Sequence, residues 1–125
     1  MNASVLSLIT ISVLISSLAQ IMLKIGMNRF AMTATFQIEN LVSSLMAVFA
    51  NSYVLGGLFC YGLGAIVWLA VLSRVEVSVA YPFTGLGVAF TAILAYVVLG
   101  ENLGMQRLLG TTLVMAGVIL VGRSA

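Results

Sequence analysis

Four polar residues in the first apolar stretch are the side chains best placed to bind a ligand. They recur every four residues and are Ser12, Ser16, Gln20 and Lys24. On a helix with 3.6 residues per turn, this spacing puts them along one slowly drifting face. Ionisable side chains within membrane helices usually face the protein interior or a water-filled cavity. The spacing therefore predicts a hydrogen-bonding face that ends in a cation.

Alternative interpretations exist for this polar stripe, defined as Ser12, Ser16, Gln20 and Lys24. Lys24 lies near the end of its apolar stretch, so its ammonium group can instead reach the lipid headgroups beside Arg29. Serines in such helices more often bond their own backbone four residues back than a ligand. Gln20 lies too deep to reach water easily, so its amide needs a partner.

Composition assigns the chain to the membrane proteins and excludes several kinds of site. Of its 125 residues, 62% are hydrophobic and 6% are charged. It has no histidine and one cysteine, which excludes a histidine metal site, a Cys/His nucleophile pair, a zinc cluster and an intrachain disulfide. We therefore expect neither a metal nor a cofactor, and enzymatic chemistry is disfavoured. There is no basic patch for nucleic acid, so none is expected as a partner.

Four apolar segments are predicted to span the membrane, because a bilayer core of about 30 Å needs roughly 20 helical residues. They are residues 5–26, 53–73, 77–99 and 106–122. In the connection 27–52, residues 38–50 show helical spacing of apolar side chains and predict a short interfacial helix. The predicted fold is one all-α domain, residues 1–125. Because four helices enclose little volume, we expect a dimeric bundle.

The third predicted span contains a helix breaker near its start. Pro82 has no amide hydrogen to donate to the preceding turn, and Gly85 and Gly87 remove side-chain bulk just beyond it. Such residues are tolerated in a membrane helix where neighbouring helices cover the loosened backbone. The pattern predicts a flexible, closely packed segment beside Tyr81 and Thr84. Alternatively, Pro82 simply starts the helix.

Small residues predict faces where helices approach each other closely. Gly56, Cys60 and Gly64 recur every four residues in the second span, and Gly110 and Gly117 are seven apart in the fourth. Small residues at such spacing let helix backbones come together in lipid. We expect these faces to serve helix packing or dimerisation, with Cys60 as a small apolar filler.

The basic residues leave the membrane orientation open. Arg74 and Arg123 are predicted on one side, and Lys24, Arg29 and Arg107 on the other. Because cytoplasmic loops normally carry a clear excess of Lys and Arg, this division sets no orientation. It permits dual topology or a partner subunit.

Short motifs resemble the small four-helix members of the drug/metabolite transporter superfamily, which include the small multidrug resistance exporters. These motifs are Ala80-Tyr81-Pro82, Leu99-Gly100-Glu101-Asn102 and the segment from Gly110 to Val118. The chain is more similar still to the small subunits of the bacterial flippase for undecaprenyl phosphate-aminoarabinose. That similarity is carried by Gln20-x-x-x-Lys24, Val79-Ala80-Tyr81-Pro82 and Gly117-Val-Ile-Leu-Val-Gly122. The similarity covers all four spans, and most of the matching residues lie from Leu69 onward.

Two departures separate the chain from the multidrug exporters. Ser16 stands where they carry a membrane-embedded glutamate, and Thr84 stands where they present a tryptophan to aromatic cations. No predicted span contains an acid, and a proton-coupled exporter needs a titratable group in its cavity. Proton-coupled drug exchange is therefore disfavoured.

The resemblance implies translocation of a lipid-linked sugar across the bacterial inner membrane by a homodimer, or by a heterodimer with a paralogous four-span subunit. On this interpretation Lys24 pairs with the phosphodiester anion, and Ser12, Ser16 and Gln20 contact the sugar. Residues that complete the predicted substrate site are Tyr81, Thr84 and Glu101, the last attracting the sugar's amino group. Two alternatives stay open: an exporter of small molecules or cations, and an accessory membrane protein.

Overall fold

The chain folds into helices joined by short loops. A computed structural model describes residues 2–33 and 37–124, in which every regular element is helical. The helices are α1 (Ala3–Thr33), α2 (Leu41–Phe49), α3 (Ser52–Leu72), α4 (Val77–Ala80), a 3₁₀ helix (Tyr81–Thr84), α5 (Gly85–Leu99) and α6 (Met105–Ser124). Four segments are long and apolar enough to cross a membrane: Ala3–Ala31, Ser52–Leu72, Val77–Leu99 and Met105–Ser124. The all-α fold with four membrane helices is confirmed, and the dimer stays a prediction.

Helix α1 runs further than the predicted first span, which ends at residue 26. Gly26 is buried and does not end the helix, since α3 packs directly against it. Beyond it Phe30 is buried, and the guanidinium carbon of Arg29 lies 4.4 Å from the ring centre of Tyr53. These contacts with tertiary neighbours extend the helix to residue 33. Residues 34–36 of the predicted connection lie outside the described residues.

Asn51 determines where α3 begins. Its side-chain oxygen accepts hydrogen bonds from the backbone N–H groups of Tyr53 and Val54, at 2.9 and 3.4 Å. This satisfies donors that a helix N-terminus otherwise leaves unpaired. The Asn51 amide also donates to the carbonyl oxygen of Gly26 at 3.2 Å. One side chain therefore starts α3 and ties it to α1.

Helices α1 and α3 form the most extensive contact of the bundle. A Cβ atom added at Gly57 would lie 3.1 Å from the carbonyl oxygen of Ala19, and one at Gly64 would lie 2.8 Å from Ser16 Oγ. Glycine is therefore what allows the two backbones to approach this closely. The predicted small-residue face of α3 lies toward α1, with Cys60 Sγ 3.9 Å from the sulfur of Met22.

The third span changes its helical geometry around Pro82. The α-helical turn α4 passes into the 3₁₀ helix and then into α5. A Cβ at Gly85 would lie 2.7 Å from Val114 of α6, and one at Gly87 would lie 3.4 Å from Val13 of α1. Neighbouring helices therefore cover the irregular backbone on two sides, as a proline within a membrane helix requires.

The hydrophobic core occupies the end of the bundle where both termini lie. It consists of Val5, Ile9, Val13, Val71, Ala80, Phe83 and Val118. These residues come from the start of α1, the end of α3, the start of the third span and the end of α6. At the opposite end, the loop end, α6 packs on α5 and leaves space between itself and α3.

Candidate functional site

A groove lies between α1, α3, α5 and α6, toward the loop end of the bundle. Its volume is about 970 Å³, at the upper end of the range of typical ligand sites, about 300–1,000 Å³. Six of the residues that the sequence singled out for substrate binding line it. They are Ser12, Ser16, Gln20, Tyr81, Thr84 and Glu101. The fold thus brings together residues up to 89 positions apart in the numbering, from Ser12 to Glu101.

Two of these polar groups are engaged in helix packing or local bonds. Ser12 is buried, and its hydroxyl donates to the carbonyl oxygen of Gly64 at 2.8 Å. The Thr84 hydroxyl donates to the carbonyl oxygen of Tyr81 at 2.7 Å. The Ser12 hydroxyl therefore joins α1 to α3 instead of bonding the backbone of its own helix.

Ser16 and Gln20 present free polar groups to the groove. Neither side chain forms a hydrogen bond within the part of the chain that the structure describes. Ser16 is half-buried and Gln20 is exposed, which fits an open groove better than a closed core. A carboxamide with two donors and an acceptor is suited to a sugar hydroxyl group.

Lys24, the last residue of the polar stripe, does not line the groove. It is exposed, one turn beyond Gln20 on α1. Each four-residue step on an α-helix advances the face by about 40°, so three steps from Ser12 turn Lys24 away by about 120°. Its role as the partner of the phosphodiester stays a prediction, and the groove geometry does not support it.

Several groove residues were not predicted as binding residues from the sequence. Arg107, Thr91 and Thr111 all line the groove. Their spacing was an available signal, because Arg107 and Thr111 are one helical turn apart, and Thr91 follows Thr84 by two turns.

Two opposite charges lie at the groove beside the loop between α5 and α6, Glu101 in the loop and Arg107 in the first turn of α6. Gly100 ends α5 in the left-handed conformation, with φ of 67°, and the backbone N–H of Glu101 donates to the carbonyl oxygen of Ala95 at 3.1 Å. On the other side of the loop, Arg107 Nη1 donates to the carbonyl oxygen of Asn102 at 3.3 Å. These bonds position the carboxylate and the guanidinium group at one end of the same groove.

Gly100→Ala should perturb this loop, although there is room for the added methyl group. No atom lies within 4 Å of a Cβ at Gly100, but an alanine there is strained because its φ is positive. We expect a loss of about 1 kcal/mol in the free energy of unfolding and increased proteolysis between α5 and α6.

Gly104→Ala is the matched control for this variant. Its Cβ also meets nothing within 4 Å, and Gly100 is the one described glycine with positive φ. We expect wild-type stability and proteolysis for Gly104→Ala. Equal behaviour of the two variants would contradict the role given to Gly100.

Gly110 and Gly117 do not pack against another helix of the same chain. A Cβ at either position would meet no atom within 4 Å among the described residues. Gly110 lines the groove, and Gly117 is exposed on α6 outside it. Their role in dimerisation, at an interface between subunits, stays a prediction.

Comparisons with known proteins show similarity to one transporter family and to named flippase subunits. The chain matches the EamA-like transporter family over residues 3–123. It is 39% identical over 83 residues to a probable 4-amino-4-deoxy-L-arabinose-phosphoundecaprenol flippase subunit ArnE of Pseudomonas fluorescens, covering 66% of this chain and 73% of the relative. The probable ArnE subunit of Pseudomonas savastanoi pv. phaseolicola is 35% identical over 65% of this chain and 71% of its own length. The probable ArnE subunit of Pseudomonas aeruginosa is 43% identical over 54% of this chain and 59% of its own length. No solved structure matches.

Proposed function

Because the chain belongs to the EamA-like transporter family, we propose that it is a flippase subunit that moves an undecaprenyl phosphate-linked aminosugar between the two leaflets of the inner membrane. The observation that carries the proposal is the groove of about 970 Å³ with free polar groups inside a bundle of four membrane helices. The names of the three relatives support the substrate class.

The groove suits a polar headgroup attached to an apolar tail. Gln20 and Ser16 on α1 offer an amide and a hydroxyl, and Tyr81 adds a phenol from the 3₁₀ helix. In the low-dielectric interior of a membrane, such groups replace the hydrogen bonds that a sugar loses when it leaves water. The outer surfaces of the helices are apolar, so the lipid tail can stay among the bilayer lipids while the headgroup crosses.

We further propose that the working unit contains a second four-span subunit. Helix α6 packs chiefly on one edge of the third span, and large apolar side chains such as Leu113 and Leu120 are exposed on it, at 74% and 69%. Groove residues such as Gln20 and Arg107 are exposed in the single chain, so a polar headgroup held there would not be enclosed. A second subunit, identical or paralogous, would close the groove.

The proposal is tested in proteoliposomes that contain 4-amino-4-deoxy-L-arabinose-phosphoundecaprenol. Accessibility of its amino group to a membrane-impermeant reagent reports movement between leaflets. The purified chain is measured alone and with a co-purified four-span paralogue. We expect translocation above that of empty vesicles in at least one of these preparations, and no movement in either would contradict the proposal.

A double variant tests whether the polar groups of the groove are required for translocation. Ser16→Ala combined with Gln20→Leu removes two free polar groups from the groove and should slow translocation about tenfold or more, since each lost hydrogen bond is worth about 1 kcal/mol. The control is Ser7→Ala with Thr10→Ala, two α1 hydroxyls that bond their own backbone outside the groove. An accessory protein that moves nothing itself would tolerate both double variants equally.

A further inference from the structure

Two opposite charges line one groove without forming an ion pair with each other in the described part of the chain. Glu101 and Arg107 are the charged residues among the described residues that line it. The rest of the lining is apolar or carries hydroxyl, phenol, indole or amide groups. Both charges are therefore available to a ligand in the groove.

The position of Arg107 on α6 is not explained by helix stability. It lies in the first turn of the helix, where the positive end of the helix dipole disfavours a cation. The backbone N–H groups of this turn also lack partners within the helix. Guanidinium groups and helix N-termini both bind phosphate well, so an anion in the groove would find two suitable groups here, beside the carboxylate of Glu101.

Arg107 retains most of its donors for such an anion. A guanidinium group has five N–H donors, and the structure gives one hydrogen bond of Arg107, to the carbonyl oxygen of Asn102. That bond orients the side chain over the loop that carries Glu101. The remaining donors can bind a phosphate oxygen pair in the two-pronged geometry that lysine cannot provide.

Glu101 supplies the complementary charge. It is half-buried at the groove, and its backbone is held by the bond to the carbonyl oxygen of Ala95. A carboxylate in this position repels a second phosphate and attracts an ammonium group. A headgroup that carries an anion and an amine on the two sides of one sugar ring would satisfy both residues.

From this arrangement we propose that Arg107 and Glu101 recognise the headgroup as a zwitterion, Arg107 binding its phosphodiester and Glu101 its ammonium group. The inference rests on the proposed function and gives that function its substrate selectivity. It assigns the phosphate contact to Arg107, in the groove, and not to Lys24, outside it. A lipid with the same phosphate and sugar but an uncharged nitrogen is then a poor substrate.

The test compares two lipid probes in the same proteoliposomes, in whichever subunit preparation is active. One is 4-amino-4-deoxy-L-arabinose-phosphoundecaprenol, and the other is its N-acetylated derivative, which lacks the positive charge. Since the amine of the second probe is blocked, leaflet exchange is followed for both with periodate, which cleaves neighbouring hydroxyls of the sugar. For the wild type we expect faster translocation of the aminated lipid by about tenfold, the effect of losing one charge-assisted hydrogen bond.

The variants separate the two roles. Glu101→Gln should bring the ratio of the two rates close to one while the N-acetylated lipid keeps its wild-type rate. Arg107→Gln should slow both lipids about tenfold or more and leave their ratio unchanged. Arg107→Lys should keep part of the wild-type translocation rate, because lysine retains the positive charge but cannot bind two phosphate oxygens at once. Arg74→Gln, an exposed arginine outside the groove, is the matched control and should behave as the wild type.

The outcomes distinguish this inference from the function on which it rests. If the wild type moves neither lipid, the flippase proposal itself fails. If the wild type moves both lipids equally, or if Glu101→Gln leaves the ratio unchanged, the zwitterion proposal is overturned and the flippase proposal stands. A loss of translocation in Lys24→Gln but not in Arg107→Gln would likewise overturn it, and would return the phosphate contact to Lys24.

Discussion

Gly57→Leu is expected to separate α1 from α3 and to destabilise the whole bundle. A Cβ at this position would lie 2.9 Å from Leu23 Cγ and 3.1 Å from the carbonyl oxygen of Ala19. The side chain of Leu23 can change its rotamer. The carbonyl oxygen of Ala19 belongs to the α1 backbone, so it can move away only if the two helices separate. We expect a loss of about 1–3 kcal/mol in the free energy of unfolding, the usual effect of overpacking.

The matched control is Gly62→Leu, five residues further along the same helix. A Cβ at Gly62 would meet no atom within 4 Å among the described residues, and the position is exposed. Both variants add the same side chain, so their difference isolates the contact with α1. Unfolding in mixed micelles can be followed by the fluorescence of Trp68, the single tryptophan. A stable Gly57→Leu protein would show that close approach of α1 and α3 is not required.

Gly110→Trp is expected to abolish translocation without unfolding the protein. Gly110 lines the groove, and its Cβ position is open. An indole ring there occupies the space between α6 and α3 that the headgroup would need, and displaces no helix contact within the chain. Leaflet exchange should fall to the level of empty vesicles, while the free energy of unfolding stays within about 0.5 kcal/mol of the wild type.

Gly117→Trp serves as its counterpart, because sequence spacing places both glycines on one face of α6, while Gly117 lies outside the groove. If this face is a seam between subunits, both tryptophans should dissociate the assembly, as measured by cross-linking or light scattering. If the groove carries the headgroup, Gly110→Trp should block transport in an assembly of unchanged size. Normal transport by Gly110→Trp would contradict the use of the groove.

The number and nature of the membrane helices could be predicted from the sequence, because both depend on local properties. Runs of about 20 apolar residues separated by charged or glycine-rich turns specify spanning helices in any neighbourhood. The break at Pro82 was predictable for the same reason, since a missing N–H is a property of the residue itself. The first span was predicted to end at residue 26, whereas helix α1 continues to Thr33, with Phe30 buried and Arg29 over the ring of Tyr53.

The candidate site was only partly predictable from sequence spacing. Within the polar stripe on α1, Ser16 and Gln20 line the groove, whereas Lys24 lies outside it because each four-residue step turns the helix face further. Ser12 also fits the pattern and lines the groove, and its hydroxyl bonds the carbonyl oxygen of Gly64 because α3 approaches α1 closely there. Spacing along one helix carries no information about that approach.

Sequence alone therefore determined the class of the protein, its four spans and the chemical types available for binding. The tertiary structure decided which of those groups meet. It packed the apolar core at the terminus end, left the loop end open, and put Arg107 of α6 in the same groove as Glu101. The physical reason is that hydrophobicity and helix formation are set by neighbouring residues, whereas a binding groove is made by side chains from helices that are distant in the chain.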